Sequence, residues 1–177
     1  LFVGSSSIRL WDGLADDFRA LPVIINRGFG GSRLSDCSDN LSHLVLPYQP
    51  RQIIVYAGDN DLAEGATPVE VLASFERFVS GVQRELPQTR IAFLSIKPSP
   101  LRAALLDRAR AANELIRAYA VAHANVQYID VFHKMLGTDG QPRAELFGPD
   151  RLHLNRTGYA LWRQEIAAHL QLPPAAA

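Results

Sequence analysis

Ile53-Ile54-Val55-Tyr56-Ala57 runs straight into Gly58-Asp59-Asn60-Asp61, and Thr67-Pro68-Val69-Glu70 opens a helical pattern soon after. Five consecutive apolar or aromatic residues fit a strand covered on both faces. The polar group that halts the run has the composition of a turn. Thr67 is suited to cap a helix, Pro68 to take its first position, and Glu70 to complete a capping box. Val71, Phe75, Phe78, Val82 and Leu86 then recur at helical spacing until Pro87 stops the pattern. A buried strand, a polar turn and an amphipathic helix make one βα unit.

The unit repeats in both directions along the chain. Strands are predicted at Leu1–Val3, Val23–Ile25, Ile53–Tyr56, Ile91–Ser95 and Val126–Ile129, and helices near 8–19, 33–45, 68–86, 102–122 and 156–170. Such alternation implies a parallel sheet between two helical layers. The expected fold is α/β: a three-layer α/β/α sandwich, flavodoxin-like, with a five-stranded parallel sheet. Tyr159, Trp162, Ile166 and Leu170 are expected to anchor the core rather than to touch a ligand. No linker or repeat interrupts the 177 residues, so one domain over 1–177 is expected, with a frayed tail at 172–177.

Composition narrows the function classes. The 18 basic and 18 acidic residues cancel, so nothing points to a nucleic-acid partner or an anionic membrane surface. Cys37 is the only cysteine, which rules out an intrachain disulfide. The apolar runs are strand-length, so no transmembrane segment is expected, and no signal peptide is visible. Leu1-Phe2-Val3-Gly4 begins inside a strand pattern; a few residues, or a leader, are expected to be missing upstream, which leaves localisation open. Oligomeric state is not legible in the sequence.

In parallel sheets, ligands collect at the carboxyl ends of strands. Four polar clusters lie where such a site would form. Gly4-Ser5-Ser6-Ser7 follows the first strand, and a serine hydroxyl becomes a useful nucleophile only with a base in hydrogen-bonding reach. A strand-to-helix turn exposes it and aims backbone N–H groups at developing negative charge. The same serines also suit a helix cap. The Gly-x-Ser-x-Gly elbow is absent, because Ile8 holds the second glycine position.

Asn26-Arg27-Gly28-Phe29-Gly30-Gly31 follows the second strand. A dinucleotide fingerprint does not fit it, since Arg33 stands at the third glycine position and no acid lies in 44–53. Glycines here suit close backbone approach and an N–H donor facing an oxyanion, or an ordinary turn. Asn60 after the third strand is an uncharged donor that cannot lose its proton; an Asx-rich turn is the alternative. A divalent metal on Asp59, Asp61 and Asp150 is a third reading, without convincing ligand spacing. Asp150-Arg151-Leu152-His153 places an acid three residues before a histidine, so that the carboxylate can grip one imidazole nitrogen and leave the other free. His43, His123, His133 and His169 are assigned to helical faces or a loop, with no acid at similar spacing.

Taken in order, these blocks resemble those of the SGNH, or GDSL-type, hydrolase family over nearly the whole chain. Phe2-Val3-Gly4-Ser5-Ser6 resembles the first block, with Ser6 as nucleophile; the glycine block implies Gly31 as an oxyanion donor; Gly58-Asp59-Asn60-Asp61 implies Asn60 as another; Asp150-Arg151-Leu152-His153 supplies Asp150 and His153. Gln49 to Val55 and Ala124 to Asp130 look most like the branch containing the platelet-activating-factor acetylhydrolase catalytic subunits. The resemblance implies a serine esterase acting on short acyl esters through an acyl-enzyme, with the Ser6 N–H as a further oxyanion donor. The ester is a small molecule, and no metal or organic cofactor is needed.

One departure stands out. The family's Gly-Asp-Ser is Gly4-Ser5-Ser6 here, and Ser5 or Asp36 is expected to replace the hydrogen bonding of the missing aspartate. Substrate contacts are expected from the loops after the strands, including Arg33, Ala63 and Pro98. A carbohydrate O-deacetylase with the same triad, or a non-catalytic α/β ligand-binding module, are the alternatives.

Overall fold

The structure is a computed structural model that describes residues 1–170; the expected frayed tail lies outside the described residues. Five strands, β1 (Phe2–Gly4), β2 (Asn26–Gly28), β3 (Gln52–Tyr56), β4 (Arg90–Leu94) and β5 (Val126–Ile129), form one parallel sheet in the order β2-β1-β3-β4-β5. This is the flavodoxin-like arrangement, whose ligand crevice opens at the carboxyl ends of β1 and β3, where the direction of winding reverses.

Alternation along the strands builds two cores. Val3, Ile53, Val55, Ile91 and Phe93 face one layer, with α3 (Leu34–Asp39), α4 (Leu41–Leu44), α6 (Pro68–Glu85) and α7 (Leu106–Val121). Phe2, Ile54, Tyr56, Ala92 and Leu94 face the other, with α1 (Ser6–Arg9), α2 (Leu14–Asp17) and α8 (Arg156–Ala167). Every one of these strand side chains is buried, as period-two packing between two helical layers requires. The Thr67 cap and the Glu70 capping box of α6 are both formed. Trp162 and Ile166 are fully buried on α8, so the aromatic stripe does anchor the core.

Several predicted boundaries move. The second strand lies at Asn26–Gly28 rather than Val23–Ile25, and Val23 is 67% exposed. An edge strand needs backbone partners more than apolar side chains. Asn26 supplies a further anchor: its Nδ2 donates to the Ile8 carbonyl at 2.8 Å, and its Oδ1 accepts the Gly28 N–H at 2.9 Å. The predicted helix at 8–19 is two short turns, with Gly13 at the start of the second, and that at 33–45 divides at Asn40. The 102–122 helix begins only at Leu106, after a 3-10 segment, Pro100–Leu105, in which Arg102 leaves helical geometry at φ −111° and ψ 29°. A short helix, α5 (Asp59–Ala63), takes the place of the Asx turn after β3.

Candidate active site

At the end of β1 the backbone has no slack. Gly4 has φ +141°, and a methyl group there would sit 1.8 Å from the Tyr56 carbonyl oxygen, so only glycine lets β1 meet β3 this closely. The Ser5 N–H donates to that same carbonyl at 2.9 Å, and the Ser5 carbonyl accepts the Ile8 and Arg9 N–H groups. Ser6 is thereby delivered as the first residue of α1, where its own N–H has no helical acceptor. The Tyr159 hydroxyl on α8 donates to the Ser7 carbonyl at 2.8 Å and ties α1 to the last helix.

The expectation that Ser5 or Asp36 takes over from the missing aspartate is not met. The Ser5 hydroxyl is buried with no hydrogen-bond partner, and Asp36 is held by the backbone N–H and guanidinium of Arg33 at 2.8 to 3.2 Å. The turn is fixed by backbone bonds, Asn26 and Tyr159 instead.

Across the crevice, Ser6 Oγ lies 2.9 Å from His153 Nε2, and His153 Nδ1 lies 2.6 Å from Asp150 Oδ2. Asp150 Oδ1 also accepts the Leu152 and His153 N–H groups, each at 3.0 Å. The Leu152 N–H contributes most to pulling the Asp150 carboxyl down to about 2, followed by the His153 side chain and the His153 N–H. An ionised carboxylate only accepts, so Nδ1 must carry the proton of a neutral imidazole. Nε2 then turns a lone pair towards the serine. The turn itself is pinned by Asn155, which caps α8 through Gly158 N–H and donates to the Glu145 and Phe147 carbonyls. Arg151 takes φ +59° within it.

The other two predicted donors are held near each other by one residue. Gly31 has φ +73°, a conformation that favours glycine, although its Cβ would meet no atom within 4 Å. Its neighbour Ser32 donates its hydroxyl to the Phe29 carbonyl at 3.1 Å and accepts Asn60 Nδ2 on its own carbonyl at 3.0 Å. The Phe29 N–H donates to the Gly4 carbonyl at 2.8 Å, so the glycine loop is fastened to the end of β1.

Not every predicted residue joins this group. Arg33 is engaged by Asp36 and Glu64 at the surface, and Ala63 is exposed at the end of α5. Pro98 is buried against a small cavity of about 10 Å³ with Asp59, Lys97 and Arg102. The three carboxylates of the metal reading do not gather: Asp59 pairs with Lys97 and Arg102, Asp61 receives the Leu34 N–H, and Asp150 serves His153. Burial, with Asp59 nearby, raises the Asp61 carboxyl to about 6 against the opposing pull of Leu34.

Two features escaped the sequence reading. Asp130 and His133 are a second acid–histidine pair at the same spacing, Oδ2 to Nδ1 2.7 Å, which corrects the assignment of His133 as a histidine without a partner acid. Plain inspection of the spacing would have found it. The other is Arg102, whose Nη2 donates to Asn60 Oδ1 at 2.9 Å. The Pro98-Ser99-Pro100 break, which keeps residue 102 out of the following helix, was its only signal.

A serine, a histidine and an aspartate thus stand in hydrogen-bonded series at the carboxyl end of a parallel sheet. The GDSL-like Lipase/Acylhydrolase family profile matches residues 3–161, and the chain belongs to that family. It is a carboxylic ester hydrolase. Platelet-activating factor acetylhydrolase IB subunit alpha1 of Bos taurus is 28% identical over 90% of this chain and 69% of its own length. A solved structure from Streptococcus pneumonia, whose description names platelet activating factor, is 26% identical, with TM-score 0.87 over 96% of this chain and 82% of that one. An acetyl-xylooligosaccharide esterase from Geobacillus Stearmophilus shares the fold at 13% identity, with TM-score 0.76 over 99% and 95% of the two chains.

Proposed function

We propose that the chain is a serine esterase that hydrolyses short carboxylic esters, acetyl to butyryl, through an acyl-enzyme on Ser6. The observation that carries this reading is the hydrogen-bonded series Ser6–His153–Asp150, closed between residues 147 apart. His153 Nε2 takes the Ser6 proton as Oγ attacks the ester carbonyl, and Asp150 stabilises the imidazolium that results. The proton then passes to the departing alcohol. Water attacks the acyl-enzyme with His153 again as base, releasing the acid and restoring the serine.

The oxyanion is held by the Ser6 and Gly31 N–H groups and by Asn60 Nδ2. One Nδ2 hydrogen serves the Ser32 carbonyl, which leaves the other for the substrate oxygen. Loss of one such donor costs about 3–4 kcal/mol of transition-state stabilisation. Asn60→Ala should therefore turn over 4-nitrophenyl acetate roughly a hundredfold more slowly, and a parental rate would remove Asn60 from the mechanism.

The long segment from Asp130 to Asn155 folds back into the second core through Val131, Met135, Leu146 and Phe147. The name of the Bos taurus relative, an acetylhydrolase, agrees with a short acyl chain. Rates on 4-nitrophenyl acetate, butyrate, octanoate and palmitate should peak at one of the first two. A peak at octanoate or beyond overturns the short-chain assignment. Covalent labelling by a fluorophosphonate should occur in the parent and vanish in Ser6→Ala, whereas a binding module would not label at all. Acetate released from acetylated xylan faster than from simple esters would shift the substrate to a carbohydrate.

A further inference from the structure

Behind Asn60 lies a buried group of charges that the hydrolytic steps do not use. Asp59 accepts Lys97 Nζ at 3.0 Å and lies 3.1 Å from Arg102 Nη1; the Lys97 side chain is 1% exposed and that of Asp59 9%. Lys97 also donates to the Tyr56 hydroxyl at 3.1 Å. Burial opposes the charge on Asp59, but Lys97 first and Arg102 next outweigh it and hold the carboxyl below its ordinary value. An ionised Asp59 thus attracts one side of the Arg102 guanidinium as an ion pair without a hydrogen bond from Nη1, and the other side donates to Asn60 Oδ1 at 2.9 Å. We infer that Arg102 is a positioning residue for the oxyanion donor, setting which face of the Asn60 amide is turned to the substrate.

Polarity dictates which way the amide lies. A guanidinium only donates, and the Ser32 carbonyl only accepts. With Oδ1 on Arg102 and Nδ2 on Ser32, both bonds form; with the amide turned over, both are lost and like poles are brought together. Arg102 alone among these partners is charged, and charge-assisted bonds are the stronger ones. Its backbone serves the same end. The non-helical turn at Arg102 carries the side chain towards α5, and the Leu101 N–H beside it donates to the Arg151 carbonyl at 3.0 Å. The segment Pro100–Leu105 thereby touches the Asn60 limb and the Asp150–His153 limb together. Downstream, the Asn113 amide on α7 clamps both backbone groups of Ile96, next to Lys97, at 2.8 and 3.0 Å.

This inference rests on the esterase reading and its Asn60 donor, and the test separates the two. Arg102→Met and Arg102→Lys are made in the parent and in Asn60→Ala, and kcat, KM and the pH profile are measured with 4-nitrophenyl acetate. Arg102→Met should lower kcat about tenfold with KM within about twofold and an unchanged profile shape. In the Asn60→Ala background the same change should cost less than about twofold, because the amide it positions is gone. Arg102→Lys keeps a cation beside Asp59, and with it the fold, while losing the planar fork. It should show the same non-additivity with a smaller loss. A parental kcat in both variants, or a full loss that persists without Asn60, overturns the assignment. Parental activity in Ser6→Ala would instead overturn the esterase reading beneath it.

Discussion

Two turns in this molecule share one four-residue spacing: Asp130-Val131-Phe132-His133 and Asp150-Arg151-Leu152-His153. At close range they fold alike. In the first, Oδ2 lies 2.7 Å from Nδ1 and Oδ1 accepts the histidine N–H at 3.1 Å; in the second the distances are 2.6 and 3.0 Å. They part beyond the ring. His153 Nε2 meets the Ser6 hydroxyl, whereas the His133 ring packs edge-on against Phe132. The His133 side chain is 55% exposed and that of His153 29%. An acid three residues before a histidine therefore makes its own hydrogen bonds wherever a turn allows. The topology of the sheet, which brings the first strand and the last loop to one crevice, is what gives one of them a hydroxyl to act on.

The contrast is sharpest if the rings are removed. His153→Ala should lower kcat/KM for 4-nitrophenyl acetate by about 10⁴-fold or more, since the proposed mechanism makes it the base for the serine. His133→Ala should stay within about twofold. Comparable losses would erase the distinction between the turns. Next come the acids. Asp150→Asn leaves the ring without the acceptor that selects its tautomer, and a drop of roughly 10² to 10⁴ in kcat is expected. Asp130→Asn should be silent in the same assay.

The smallest difference concerns acid tolerance. The folded-state value of Asp150, about 2, lies below its ordinary 3.8. Its stabilising contribution is therefore complete above about pH 5 and lost as pH falls through about 2. With 52% of that side chain exposed, solvent keeps the contribution modest. The Tm gap between the parent and Asp150→Asn should narrow by about 1–2 °C between pH 5 and pH 2.5, followed by scanning calorimetry. A gap that widens on acidification would contradict the direction of this shift.

What the sequence revealed follows from which forces act locally. The interior strands β3 and β4 were legible because burial on both faces leaves unbroken apolar runs. The edge strand β2 was not, because its residues Asn26-Arg27-Gly28 pair through backbone and through the Asn26 amide. Ser6, Gly31, Asn60, Asp150 and His153 could be singled out from turn composition at strand ends and from the family resemblance. Arg102 could not: its contacts with Asn60 and Asp59 span about forty residues, and nothing in the spacing marks them. Ser5 went unread for a related reason. A substituted side chain says nothing about the backbone bonds and the distant Tyr159 that hold α1 in its place.

The 147-residue gap between the serine and the histidine also orders events during synthesis. A ribosome emits the strand, the glycine loop and the asparagine long before the imidazole leaves the exit tunnel. Until then the nascent polypeptide carries a serine hydroxyl without the imidazole that the proposed acyl-enzyme mechanism gives it as a base.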